Sequence, residues 1–139
     1  MPLIRETLAN GNSVTFAPNG TSMLPMLRQG IDTVTLSPLP ARLRKFDIPF
    51  YQRSNGQYVL HRVVTVGDTY TCIGDNQFVF EHGLRHDQMI AVVTSFTRGD
   101  MVYSVNSLRY RLYCRFWHYS RPVRLFWRRV MGWLRRHLK

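Results

Sequence analysis

The sequence predicts a mostly β protein, an antiparallel coiled sheet or small barrel followed by C-terminal α-helices. Short runs of strand-forming residues recur between turn signals from Ser13 to Tyr103, the pattern of an all-β sandwich or barrel. After Tyr103 the apolar period changes from two to about 3.6, the helical repeat. With 139 residues, 45% of them hydrophobic, the chain is long enough to bury the core of one domain with at most one appendage.

Taken in order, residues 2–9 predict a short helix ended by Asn10-Gly11, because glycine accepts the left-handed cap. Ser13-Val14-Thr15-Phe16-Ala17-Pro18 alternates as a strand and runs into Asn19-Gly20, a turn signal that places Ser22 just past a bend. Met23-Leu24-Pro25-Met26-Leu27 fits one or two helical turns before Gly30, and Thr33-Val34-Thr35-Leu36 starts another strand. Phe46–Tyr51 and Gln57–Val66 flank Ser54-Asn55-Gly56, a strong hairpin signal that puts His61 in mid-strand. Thr69–Ile73 follows the Gly67-Asp68 turn, and Met89–Phe96 with Met101–Tyr103 forms a second hairpin around Gly99-Asp100. Leu108, Leu112, Trp117 and Tyr119 predict one helix; Val123, Phe126, Trp127, Val130, Leu134 and Leu138 share one face of another. Pro122, after Ser120 as N-cap, separates the two.

Charge divides the chain more sharply than composition does. Residues 1–101 hold 9 Lys and Arg against 8 Asp and Glu, whereas residues 102–139 hold 10 basic residues and no acidic one, so nearly all of the net +11 lies at the C-terminus. We therefore read residues 1–103 as a core and 104–139 as a basic, aromatic-rich amphipathic tail. Arginines interleaved with Trp117, Trp127 and Trp133 have the composition of a helix lying in an anionic membrane interface, against the alternative of a helix packed on the sheet with a solvated basic face. Nucleic acid is disfavoured, because the tail carries no recognisable reading motif. Two cysteines, Cys72 and Cys114, fit buried thiols in a reducing compartment. No signal peptide opens the chain and no stretch of 18 uncharged apolar residues occurs, so a cytoplasmic protein, or one peripheral on the inner face of the membrane, is expected.

One constellation carries chemistry. Gly20-Thr21-Ser22-Met23-Leu24-Pro25 precedes His61 by 39 positions, counted from Ser22. A serine hydroxyl is a weak nucleophile at neutral pH and needs a base within reach and a group to orient that base. His61 is the candidate base, and Gly74-Asp75-Asn76 and Glu81 offer the third group. A lysine base is disfavoured, since the only lysines are Lys45, in an Arg-rich loop, and the terminal Lys139. Taken singly, Ser22 reads as a cap, His61 as a strand residue, Asp75 as a turn aspartate and Glu81 as a solvated charge. His82 and His86 stand four apart, but the intervening Gly83-Leu84-Arg85 reads as loop and no further ligand is nearby in the sequence, so no metal and no cofactor is expected.

These boxes, in this order, resemble the S24/S26 serine peptidase group, which includes signal peptidase I and the self-cleaving repressors. Ser22-Met23-Leu24-Pro25 matches the group's Ser-Met-x-Pro nucleophile motif, with Met23 and Pro25 as supporting residues. Phe46-Asp47-Ile48-Pro49 stands where the group has a Gly-Asp strand, its glycine replaced by Phe46. His61 before Arg62 matches the position of the general base, in the histidine form of archaeal and endoplasmic-reticulum signal peptidases. Gly74-Asp75-Asn76 matches the Gly-Asp-Asn box, and Glu81 falls where the histidine-type enzymes carry their acid, with Asp75 as the alternative. Gly20 stands where signal peptidases often place an oxyanion-assisting hydroxyl, which leaves Thr21 and backbone N–H groups for that task.

The resemblance covers roughly residues 11–103, lacks the family's membrane anchor, and is nearest to small anchorless bacterial members with an Arg- and aromatic-rich C-terminus. It implies a serine endopeptidase acting on a peptide or precursor protein through an acyl-enzyme on Ser22. The alternative is a catalytically inactive peptide- or membrane-binding module of the same fold.

Overall fold

The computed structural model describes residues 2–18, 20 and 22–138. In chain order the elements are α1 (Pro2–Ala9), β1 (Val14–Phe16), β2 (Val34–Pro38), β3 (Pro49–Gln52), β4 (Tyr58–Leu60), β5 (Arg62–Val66), β6 (Tyr70–Ile73), β7 (Glu81–Leu84), a 3-10 turn at His86–Gln88, β8 (Met89–Arg98), β9 (Met101–Ser104), α2 (Leu108–Tyr119) and α3 (Arg121–His137). Six strands form one sheet in the order β1-β2-β8-β3-β4, with β9 also on β8, and β5-β6-β7 form a second. All pairings are antiparallel. The architecture is thus mostly antiparallel β, a curled half-barrel with C-terminal helices, as the strand spacing predicted.

Curling has a local cause. Register shifts interrupt β2–β8 at Thr35/Leu36, β3–β8 at Phe50/Tyr51, β5–β6 at Val63/Thr65 and β6–β7 at Tyr70/Cys72. Such irregularities bend a strand and increase its twist. Alternation along β3 and β4 then divides the interior. Phe50 and Leu60 join a core with Met23, Met26, Val34, Leu36 and Tyr110, while Tyr51 and Val59 face a second core with Val63, Tyr70 and Cys72.

Four expectations change. His61 does not sit in mid-strand: it lies between β4 and β5, where the chain leaves one sheet for the other. Leu60, His61, Arg62 and Val63 are consecutively buried, which a half-buried strand does not allow, because both of its faces are here inside. Met23–Leu27 forms a series of turns with one Leu27 N–H to Met23 carbonyl bond of 3.0 Å, not a helix; Pro25 supplies no N–H to continue one. Residues 81–84 are a strand where a loop was expected around Gly83. The polar run Glu81-His82-Gly83 hides it, and its pairing with β6, not its own propensity, makes it extended.

The fourth concerns the C-terminal helices. Tyr110 and Cys114 of α2 lie in the same core as β2, β3 and β8, so the division at residue 103 runs through one packed body. Trp117 turns inward to the Asp75 carbonyl, whereas Leu108, Leu112 and Tyr119 of the same helix are exposed. Ser107 caps α2, accepting from the Tyr110 N–H at 3.3 Å. Ser120 does separate the helices but makes no side-chain cap bond. No helix among the described residues is long and apolar enough to cross a membrane.

Candidate active site

After β1 the chain bends through Gly20, whose φ of 91° lies in the left-handed region open to glycine. Thr21 lies outside the described residues. Ser22 opens the turns anchored by buried Met23, Met26 and Leu27. The far end of this segment is pinned by Asp32, which pairs with Arg28 at 2.9 Å and accepts the Gly99 N–H at 3.0 Å.

The Gly74-Asp75-Asn76 box clasps the serine. Its Asn76 N–H donates to the Ser22 carbonyl at 2.8 Å. A Cβ on residue 74 would stand 2.5 Å from that carbonyl oxygen and 3.0 Å from the Ser22 Cβ. Glycine is required here for close approach, since the clash would be with backbone.

His61 is 5% exposed. Its Nδ1 lies 3.4 Å from the Tyr51 hydroxyl, and that hydroxyl donates to Glu81 Oε1 at 2.7 Å. Arg53 grips the same carboxylate with a fork, Nε to Oε2 at 3.0 Å and Nη2 to Oε1 at 3.1 Å. Burial pushes the Glu81 pKa up, but the Arg53 and Tyr51 hydrogen bonds outweigh it and hold the carboxyl below its ordinary range. An ionised Glu81 only accepts, so the single Tyr51 proton is committed to it and the tyrosine oxygen accepts from Nδ1–H of a neutral imidazole. That tautomer leaves Nε2 unprotonated. Burial, and then the charge of Arg53, push the His61 pKa down from 6.5 to about 4; the opposing fields of Glu81 and Asp75 are weaker.

Asp75 is engaged elsewhere. Arg62, fully buried, meets its two oxygens at 2.8 and 2.9 Å, and Tyr113 donates to Oδ2 at 2.7 Å. Trp117 Nε1 donates to the Asp75 carbonyl at 2.7 Å. The remaining Arg62 donor capacity goes to the Phe46 carbonyl, Tyr110, Cys114 and Met26. Of the two acids offered by the sequence, Glu81 therefore connects to His61, through Tyr51, and Asp75 bolts the serine-clasping loop to Arg62 and α2.

Ser22 and His61 line one cleft of about 240 Å³, with Gly20, Leu27, Gln57, Tyr58 and Gln77 among its other walls.

No protein-family model, curated protein or solved structure matches the chain.

Spacing alone missed Tyr51, Arg53, Gln57 and Gln77. The first was within reach of the hairpin reading. Ser54-Asn55-Gly56 fixes a register with Tyr51 opposite Val59, which makes Tyr51 the diagonal neighbour of position 61. Arg53 follows from no pattern. It holds Gln57 Oε1 at 2.8 Å on the cleft wall and Glu81 behind it. Lys45 turns to Tyr119, at 3.3 Å, and to the Phe46 ring. His82 and His86 bond to different partners, Thr71 and Tyr70. Burial pushes the Cys72 thiol up to about 12 and also raises Cys114, which leaves neither a ready nucleophile.

Proposed function

We propose that the chain is a serine endopeptidase that cleaves a peptide or precursor protein through an acyl-enzyme on Ser22. One observation carries the reading: Ser22 and His61 line the same cleft, with the Tyr51 hydroxyl between the His61 ring and Glu81. In the first step Nε2 of His61 takes the hydroxyl proton as Oγ attacks the substrate carbonyl carbon. The tetrahedral intermediate collapses by breaking the C–N bond, and the imidazolium returns the proton to the leaving amine. Water, activated by the same nitrogen, then breaks the ester. Tyr51 and Glu81 are positioning residues that stabilise the imidazolium through one hydroxyl, and Ser22's own N–H assists the oxyanion.

The two outer strands of the curled sheet support an extended substrate. Among the described residues β4 pairs only with β3, and its residues Tyr58, Val59 and Leu60 line the cleft that also receives Pro18 and Gly20 beyond β1, the opposite edge. An extended peptide entering there can add to β4 by main-chain bonds, which fix the scissile bond while reading little sequence. Position 46 is a second support. Phe46, which replaces the glycine of the resembled family, has φ of 77°, the region glycine adopts freely. We place the activity in the cytoplasm or at the inner face of the membrane.

The inactive-module reading draws on the low basicity of His61, since a base with a pKa of about 4 accepts a proton weakly. Intact mass after fluorophosphonate treatment separates the two. An adduct on the unmodified chain, absent from Ser22→Ala and His61→Ala, is the expected result; a folded protein that takes no adduct supports the binding module instead.

A further inference from the structure

The apolar side chains of α2 fall into two stripes. Tyr110, Tyr113, Cys114 and Trp117 face the sheet, bonded to Arg62 and Asp75. Leu108, Leu112, Phe116 and Tyr119, spaced by three and four on the outer side, are between 59 and 71% exposed. Helix α3 continues this surface. Val123, Phe126 and Trp127 are between 63 and 68% exposed, and Trp133 is 51% exposed. At 3.6 residues per turn these side chains share one arc of α3, and Arg128, Arg129, Arg135 and Arg136 occupy the other. Arg109 borders the outer stripe of α2 on one side, Arg111 and Arg115 on the other.

Charge decides what covers this face. Residues 102–139 hold 10 basic residues and no acidic one, so a second copy would bring a like-charged rim against the first. A polyanion without an apolar phase would meet the arginines and leave the indoles in water. An anionic bilayer satisfies both: rings enter the boundary between headgroups and acyl chains while guanidinium groups meet lipid phosphate. We infer that the outer stripe of α2 and the apolar arc of α3 dock the protein on an anionic lipid surface, with α3 lying in the interface. At 17 residues, about 25 Å long, α3 lies along the surface instead of crossing it. This docking requires no chemistry at Ser22.

The test is sedimentation of the full chain with vesicles of equimolar phosphatidylglycerol and phosphatidylcholine, beside vesicles of phosphatidylcholine alone. Binding is expected to the first only. Replacing Phe126→Ser with Trp127→Ser, or Arg129→Gln, Arg135→Gln and Arg136→Gln together, should lower the partition coefficient on the order of a hundredfold. All five side chains are exposed, so both variants should keep the thermal transition of the unmodified chain. In that unmodified chain, brominated phosphatidylglycerol should quench tryptophan emission. Equal binding by the variants, absence of quenching, or equal binding to phosphatidylcholine overturns the inference. So does a lipid-free dimer by light scattering that Phe126→Ser with Trp127→Ser makes monomeric, because the face then belongs to a second copy.

Discussion

At the residue scale, the proposed chemistry rests on a histidine whose environment makes it a weak but persistently neutral base. With its pKa pushed to about 4 by burial and Arg53, fluorophosphonate labelling of Ser22 should hold steady from neutral pH to about 5 and fall below about 4. A midpoint near the ordinary 6.5 would show that His61 is solvated or is not the base. The same shift bears on stability. Between 6.5 and about 4 the unfolded chain binds a proton at His61 that the folded chain refuses, so stability is full above this window and declines as pH falls through it. Tyr51→Phe isolates the relay. It removes the hydroxyl that links Glu81 to the ring and leaves Nδ1 without its acceptor, so labelling should slow by roughly tenfold or more, against a loss of about a hundredfold or more in His61→Ala. Unchanged labelling in Tyr51→Phe, with the pH midpoint unmoved, would remove Tyr51 from the proposed mechanism.

At the scale of elements, the serine-bearing turn owes its place to the Gly74-Asp75-Asn76 loop, and that loop owes its place to Arg62. Gly74→Ala puts a methyl 2.5 Å from the Ser22 carbonyl oxygen. The expected cost is about 1–3 kcal/mol of stability, with loss of the Asn76 bond to Ser22 and of fluorophosphonate labelling; urea unfolding and intact mass check the two separately. Asp75→Asn leaves Arg62 buried beside a neutral partner. Breaking such a pair costs about 3–5 kcal/mol, read as a shift in the urea midpoint at constant slope. If Asp75→Asn instead retained full stability while labelling vanished, Asp75 would be acting in the chemistry and not as the bolt described here.

At the scale of the whole molecule, the two C-terminal helices have different jobs. Tyr110 and Cys114 complete the core, and Tyr113 and Trp117 complete the clasp through Asp75. Helix α3 touches the body through Arg121 over Phe80, Arg124 over Phe78 and Trp117, and Arg128 over Phe78. A chain ending at residue 128 should therefore fold with a near-native urea midpoint. A chain ending at residue 103 loses α2 from the core and should show no cooperative transition. Circular dichroism during urea titration distinguishes them, and a folded 1–103 fragment would mean that α2 merely rests on the sheet.

Much of this was legible in the residues. Alternation and turn chemistry are local properties, so the two hairpins, the antiparallel class, the change to helical period and the break near Ser120 could be read from neighbours a few positions apart. That Ser22 and His61 line one cleft, with the Gly74 loop bonded to the serine, was legible only as an ordered set of boxes. Their place on one cleft depends on the chain crossing between sheets at His61, which no local pattern records because both sides of residues 60–63 are buried. Choosing between Glu81 and Asp75 was likewise beyond spacing. Two carboxylates differ in role according to which cation lies beside each. Arg53 reaches Glu81 across 28 positions and Arg62 reaches Asp75 across 13. Such contacts are set by strand register and sheet curvature, which arise only once the whole core has closed.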